Sequence, residues 1–135
     1  MRPMADIPVG ATGEERTLVT TEIAIDFMGV EDARVLGTPW LIMLLEMTAR
    51  NLIKRYLDEG FDSVGTHVDV RHLAATPLGM SVTFHAEILE VNDRRVRCRV
   101  EAFDEKEKVA EGTHERFVIN VARFGQRVQA KLKGA

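Results

Sequence analysis

A glutamate within a very apolar stretch of the chain is the strongest candidate for chemistry. Glu46 lies inside the run 40–47, which is otherwise composed of large apolar residues. The polar residues of the same predicted helix form a stripe: Thr48, Asn51, Arg55 and Asp58. The centre of that stripe lies roughly 160° around the helix from Glu46. Because buried carboxylates are uncommon without a role, we interpret Glu46 as a base or nucleophile. The alternative is a structural ion pair with Arg50, one turn away.

A histidine is the second candidate. Period-two alternation places His72 on the apolar side of a predicted strand. By the same alternation His67 and His85 fall on polar faces, and His114 lies in a run that blurs the pattern. His72 is therefore the candidate general acid or base, because the imidazole pKa lies near neutrality. The alternative is a core histidine bonded to a backbone carbonyl.

A threonine and a group of arginines complete the candidates. Thr38 precedes Pro39 and is predicted to be the N-cap of a helix. A hydroxyl there lies at the positive end of the helix dipole, which stabilises a carboxylate, a phosphate or a developing oxyanion. The arginines near a predicted hairpin could contact a phosphate-bearing ligand: Arg94, Arg95, Arg97 and Arg99. The alternative for them is a solvated strand face balanced by nearby glutamates.

The elements that must position these residues are one strand, one long helix and four further strands. We predict the first strand over residues 16–27 and the helix over 39–58, with Gly60 ending it. The later strands are predicted over 64–72, 80–88, 96–102 and 109–121. Short turns between consecutive strands favour an antiparallel sheet with a helix on one face. The predicted class is α+β.

Local signals refine this outline. Residues 1–13 are expected to be a flexible tail, and residues 14–135 to be a single domain. The small polar run Gly112-Thr113-His114 predicts a bulge in the last strand. Residues 122–135 are mixed and basic, and are predicted to be a short terminal extension of unspecified shape.

Composition excludes several classes of function. The chain has 135 residues, of which 45% are hydrophobic and 29% are charged, as is usual for one globular domain. A single cysteine, Cys98, excludes an internal disulfide, a multi-thiolate zinc site and a redox pair. A net charge of −3 argues against nucleic acid as a partner. The longest apolar run, 39–45, is too short to span a membrane, so we expect no membrane contact and a cytoplasmic location.

Four strings of residues carry a resemblance to a known family. They are Gly37-Thr38 with Glu46 eight residues after the threonine, Val64-Gly65-Thr66, His72-Leu73-Ala74-Ala75-Thr76-Pro77-Leu78-Gly79, and Gly112-Thr113-His114-Glu115-Arg116. From about Glu14 to its end the chain resembles the fluoroacetyl-CoA thioesterase-like family of hotdog-fold thioesterases. The resemblance implies a five-stranded antiparallel sheet wrapped around one long helix. It also implies a homodimer, or a higher homo-oligomer, with active sites at the dimer interface.

The resemblance also assigns roles. It implies that Thr38, Glu46 and His72 are catalytic and that Gly65 and Arg116 bind substrate. The implied reaction is hydrolysis of a small acyl-CoA to the free acid and coenzyme A, with no metal and no cofactor beyond the coenzyme A of the substrate. In this reading Glu46 attacks the carbonyl or activates water, and His72 moves the proton.

One departure from the family pattern and two alternative functions are considered next to this assignment. The segment 29–36 is shorter than the Phe- and Pro-containing lid of the fluoroacetyl-specific type, so we expect a different acyl group. A non-catalytic acyl-CoA or small-ligand binding protein on the same fold is the main alternative, since a fold does not fix a function. A hydratase is expected to carry a histidine shortly after an aspartate before the helix, and Asp32 is followed by no such histidine.

Overall fold

The computed structural model describes residues 7–134. Its elements are β1 (Thr12–Leu18), α1 (Thr38–Lys54), β2 (Phe61–His72), β3 (Ser81–Asn92), β4 (Arg95–Phe103), β5 (Lys108–Asn120) and α2 (Val121–Leu132). Five antiparallel strands and one long helix confirm the predicted α+β hotdog architecture. The first six residues of the predicted tail, and the last residue of the predicted extension, lie outside the described residues.

The sheet has the strand order β1-β3-β4-β5-β2, so that β1 and β2 are its edges. Buried side chains alternate with more exposed ones along β4 and along β3 as far as Ile88, as a sheet with one covered face requires. The covered face packs on α1. The helix side of this core is made by the following residues: Leu41, Leu45, Ala49, Leu52 and Ile53.

Helix α1 ends earlier than predicted, and its N-cap is a different residue from the predicted one. Gly37, and not Thr38, is the N-cap, and no side chain caps the helix there. The α-helical pattern ends at Lys54 instead of residue 58. Beyond it, Tyr56 N–H donates to the Ile53 carbonyl and Leu57 N–H to that of Lys54. These i to i−3 bonds tighten the last turn, and the chain then reverses into β2.

The first strand was predicted at the wrong place. It ends at Leu18, and most of the predicted run 16–27 is irregular. Val19 and Ala24 are buried, but they pack from turns rather than from a ladder, and Ala24 forms an isolated bridge with Leu36. High β-propensity in this run reflects burial and isolated backbone pairing, not a continuous ladder. The predicted domain boundary after residue 13 falls inside β1.

The predicted bulge at residues 112–114 is also wrong. Strand β5 stays in regular register with β4 there, and the irregularity lies on β2 between Gly65 and His67. Residue 112 is a glycine for another reason. A Cβ at this position would overlap the β2 backbone at Asp69 and Val70. The glycine marks a close approach of two strands. The predicted terminal extension is largely the helix α2.

Candidate active site

Glu46 lies beside a buried cation and a buried imidazole. Its side chain is 35% exposed, and its Oε1 is 3.6 Å from His114 Nε2 and 3.9 Å from Arg116 Nη1. The alternative partner, Arg50, turns away and donates from Nε to Asp62 Oδ1 at 3.0 Å. This hydrogen bond lowers the pKa of Asp62 and raises that of Arg50. The Glu46–Arg50 pair considered from the sequence is therefore not formed.

Arg116 is buried, with 7% of its surface exposed. Its Nε donates to Ser63 Oγ at 2.7 Å and its Nη2 donates to the Ser63 carbonyl at 2.7 Å. Its Nη1 lies 3.1 Å from His114 Nε2. Burial lowers the pKa of Arg116, and the Glu46 charge opposes this. A guanidinium starts from so high a pKa that it remains protonated near pH 7.

His114 is the most deeply buried histidine, and sequence analysis did not select it. Its Nδ1 lies 2.9 Å from the His67 carbonyl, which can only accept. Nδ1 therefore carries the proton, and Nε2 is free to accept from Arg116. Burial lowers the pKa of His114, which favours the neutral ring. The sequence feature that could have identified His114 is the alternation of β5, in which residues 110, 114, 116 and 118 are all buried.

Gly65 allows the Glu46 carboxylate to lie against the backbone of β2. A Cβ on Gly65 would lie 2.5 Å from Glu46 Oε1 and 3.1 Å from His114 Cε1. Contacts this short are repulsive, so a side chain here would displace the carboxylate. The structure thus brings together Glu46, which the residue pattern selected, and Gly65 and Arg116, which the family resemblance implied. We call these residues with His114 the carboxylate cluster.

Thr38 and His72 form a second group, the hydroxyl–imidazole pair. Thr38 Oγ1 lies 2.8 Å from His72 Nδ1. His72 Nε2 is buried and has no hydrogen-bond partner among the described residues. Burial lowers the pKa of His72, and the Ala74 backbone partly opposes this shift. A neutral imidazole with one free ring nitrogen can accept a proton and, once protonated, deliver it.

The two groups are held apart within one chain. Thr38 and Glu46 are eight residues apart on one helix, which corresponds to about 12 Å along its axis. Among residues 7–134 no hydrogen bond or ion pair joins the carboxylate cluster to the hydroxyl–imidazole pair. The five site residues expected from the sequence are therefore divided between the two groups, and His114 joins the first of them.

Large apolar side chains lie exposed on the outer face of α1. Trp40, Met43 and Met47 are 37%, 46% and 43% exposed. The predicted polar stripe is wrong at Thr48, which is buried and donates its hydroxyl to the Leu44 carbonyl. On the edge strand β2, residues 65–69 are exposed as well. An edge strand and an apolar helix face without cover are typical of a surface that pairs.

Two of the four arginines in the basic cluster near the β3–β4 hairpin form ion pairs with glutamates. Arg99 Nη1 lies 2.8 Å from Glu87 Oε1, and Arg95 Nε lies 3.7 Å from Glu115 Oε1. The solvated-face alternative therefore describes these two arginines. Arg94 instead lines a cleft of about 420 Å³ together with residues of α2.

Other chemistries find little support in the described part of the chain. No group of three histidine, cysteine, aspartate or glutamate side chains there could hold a metal ion. Burial raises the pKa of the Cys98 thiol to about 12, so that it is a poor nucleophile. No described helix combines the length and the apolar character that a membrane crossing requires.

Comparisons with known proteins identify related thioesterases. A family model described as fluoroacetyl-CoA-specific thioesterase matches residues 19–122. The fluoroacetyl-CoA thioesterase of Streptantibioticus cattleyicolor is 39% identical over 101 residues, which cover 75% of this chain and 73% of that protein.

Solved structures are similar over nearly the whole chain. The structure of the fluoroacetyl-CoA thioesterase FlK has a TM-score of 0.83 at 32% identity, covering 92% of this chain and 96% of its own. A thioesterase-superfamily protein of Thermus thermophilus has a TM-score of 0.84 at 29% identity, covering 98% and 100%. A hot-dog-like protein of Thermanaerovibrio acidaminovorans reaches 0.86 at 27% identity, covering 97% of each chain.

Proposed function

This chain belongs to the fluoroacetyl-CoA-specific thioesterase family and is an acyl-CoA thioester hydrolase, and on that premise we propose how its residues carry out the reaction. The observation that carries the proposal is the Glu46 carboxylate, which lies over Gly65 with a buried guanidinium 3.9 Å away. Among residues 7–134 no hydrogen bond reaches the Glu46 carboxylate, so its oxygen lone pairs remain available for chemistry.

Glu46 acts on the thioester carbonyl in one of two ways. As a nucleophile, its oxygen bonds to the carbonyl carbon, the carbon–sulfur bond breaks, and water then hydrolyses the resulting anhydride. As a general base, it takes a proton from the water that attacks the same carbon. In both routes the carbonyl oxygen becomes negative, and the Arg116 cation lowers the energy of that charge. Gly65 leaves room for the carbonyl to approach.

The hydroxyl–imidazole pair moves the proton. Through its Nε2, neutral His72 accepts a proton released from water, and the imidazolium so formed delivers a proton to the departing coenzyme A sulfur. The Thr38 hydroxyl fixes the ring through Nδ1 at 2.8 Å. These side chains supply nucleophile, cation and proton transfer, so we propose that the reaction uses no metal and no cofactor beyond the coenzyme A of the substrate. A chelator should therefore leave turnover unchanged.

We propose that the working enzyme is a homodimer whose sites combine both copies. Trp40, Met43 and Met47 are exposed on α1, and β2 is an open edge. Two-fold antiparallel pairing of the β2 edges would run the His72 end of one strand towards Gly65 of the other. The hydroxyl–imidazole pair of one copy would thus meet the carboxylate cluster of the second copy, which removes the separation found within one chain.

The acyl group is small, and we propose that it is not restricted to fluoroacetyl. The segment between β1 and α1 contains one 3-10 turn, Glu31–Ala33, and leaves Phe27 48% and Val30 55% exposed. A short, open segment covers an acyl group less tightly than a long lid. We place the reaction in the cytoplasm, where coenzyme A thioesters are abundant.

Thiol release from a panel of acyl-CoAs tests the activity, with fluoroacetyl-, acetyl-, propionyl- and longer acyl-CoA compared. Glu46→Gln should lower kcat by about 100-fold to 10,000-fold while retaining the melting temperature and substrate binding. Glu59→Gln, on an exposed turn, is the matched control. Wild-type binding of acyl-CoA without thiol release would instead establish the non-catalytic alternative. An acyl adduct on Glu46 in quenched mixtures identifies the nucleophilic route, and its absence favours the general base.

Mixing two inactive variants tests the shared site. If each site takes its histidine and its glutamate from different copies, a heterodimer of His72→Ala and Glu46→Gln contains one site with both groups intact. Random exchange at equal amounts should then restore about a quarter of wild-type activity. Sites contained within single chains would remain inactive at every mixing ratio, and that result would refute the proposed arrangement.

A further inference from the structure

The guanidinium of Arg116 is fixed by two residues, Ser63 and His114, to which the mechanism above gives no role. Ser63 is buried, with 7% of its surface exposed, and binds Arg116 through both its hydroxyl and its carbonyl. His114 is 2% exposed and lies 3.1 Å from the third guanidinium nitrogen. Resting on the function proposed above, we propose that Ser63 and His114 are positioning residues that hold Arg116 at a set distance from Glu46.

The bonding pattern accounts for all three nitrogens of the guanidinium. Nε and Nη2 each donate to Ser63, at 2.7 Å in both cases, and Nη1 faces the lone pair of His114 Nε2. His114 keeps that lone pair because its Nδ1 proton is used by the His67 carbonyl. Three planar contacts from two directions prevent rotation of the group.

The consequence for Glu46 is a cation that is close but not bonded. An arginine free to move would close on a carboxylate in a bidentate pair, with nitrogen–oxygen distances of about 2.8 Å. Here the nearest separation is 3.9 Å. A tight pair would occupy the carboxylate oxygens that must attack the thioester or take a proton. Ser63 and His114 therefore keep Glu46 reactive by holding its cation back.

The test compares Ser63→Ala, Ser63→Thr and Thr48→Ala. Ser63→Ala removes the acceptor of Arg116 Nε, Ser63→Thr restores a hydroxyl, and Thr48→Ala removes a different buried hydroxyl that bonds only the Leu44 carbonyl. We expect Ser63→Ala to lower kcat at least about tenfold, with KM changed less than about twofold. Ser63→Thr should recover most of kcat, and Thr48→Ala should retain it.

A direct readout of the guanidinium separates positioning from folding. In ¹H–¹⁵N NMR spectra, the Arg116 Nε–H should exchange slowly in wild type and in Ser63→Thr, and rapidly in Ser63→Ala; Arg116→Lys assigns the signal. His114→Asn retains a donor for the His67 carbonyl, but its shorter side chain places no acceptor at the position of Nε2 beside Arg116, and it should also lower kcat.

Two results for Ser63→Ala would overturn the inference. Wild-type kcat in Ser63→Ala would refute it, whether or not the Nε–H signal changes. A loss of kcat in Ser63→Ala with an unchanged slow Nε–H signal would refute it too, because Arg116 would still be fixed. If wild type releases no thiol from any acyl-CoA, the proposed function fails, and the signal alone decides whether Ser63 fixes Arg116.

Discussion

Replacing Gly65 with alanine adds one methyl group directly beneath the Glu46 carboxylate. The added Cβ would lie 2.5 Å from Glu46 Oε1, 3.1 Å from His114 Cε1 and 3.5 Å from Arg116 Nη1. Gly65 does not have a positive φ, so alanine fits the backbone without strain. The substitution therefore acts on the carboxylate cluster alone.

The size of the effect follows from these distances. Non-bonded carbon and oxygen atoms come no closer than about 3.3 Å without repulsion, and atoms at about 3.5–4.0 Å are in favourable contact. Glu46 Oε1 must therefore retreat by about 0.8 Å or more. A misplacement of about 1 Å costs on the order of 100-fold in rate, or about 2.7 kcal/mol of transition-state stabilisation. Because a flexible side chain with 35% exposure absorbs the movement, we expect the melting temperature to change little.

The assay measures kcat by thiol release and the melting temperature on the same preparations. Gly125→Ala is the matched control: it lies in α2, a Cβ there would meet nothing within 4 Å, and it should leave kcat unchanged while favouring the helix by about 0.5–1 kcal/mol. A folded Gly65→Ala protein with wild-type kcat would refute the placement of Glu46 as the reacting group.

The remaining predictions separate stability from turnover. Arg50→Leu breaks the half-buried bond to Asp62, so calorimetry should show a loss of about 1 kcal/mol while kcat stays at the wild-type value. Thr38→Val releases His72 from its hydrogen bond and should lower kcat more than the melting temperature. Burial lowers the pKa values of both His72 and His114, so the unfolded chain binds more protons below its ordinary histidine pKa of about 6.5. Urea titrations should therefore show stability falling as the pH drops from about 7 to 5, less steeply in His114→Asn.

The middle of the fold was predictable because its patterns are strict. Strand β4 alternates throughout, β3 alternates as far as Ile88, and a tight turn joins the two strands. Their existence was therefore predictable from period two, although the register shift between Ile88 and Glu90 was not. Strand β1 was misplaced because an edge strand with charged residues has a weak apolar signal. The neighbouring run around Val19 and Ile23 has a strong apolar signal, since it packs on the core from outside the five strands.

The site was predictable in its residue types and not in its partners. Direction around a helix selected Glu46, but the helix also offered Arg50 as its nearest cation. In the structure Arg50 bonds to Asp62, and the cation nearest Glu46 is Arg116 on β5, which lies 70 positions after Glu46 in the chain. Such a choice depends on which strand crosses the helix, and no local pattern contains that information.

The short motifs of the chain make physical sense only when the elements are assembled. Gly65 is small because the Glu46 carboxylate lies over it, and Gly112 is small because the β2 backbone lies against it. His114 and Arg116 then occupy alternate positions of β5 that face the helix, with Gly112 opening the approach of β2 that brings Ser63 and Gly65 to them. A larger residue at 112 should therefore disturb the site through the spacing of two strands, without contacting a reacting group. Glycines in these strings are thus as closely tied to the chemistry as the charged residues beside them.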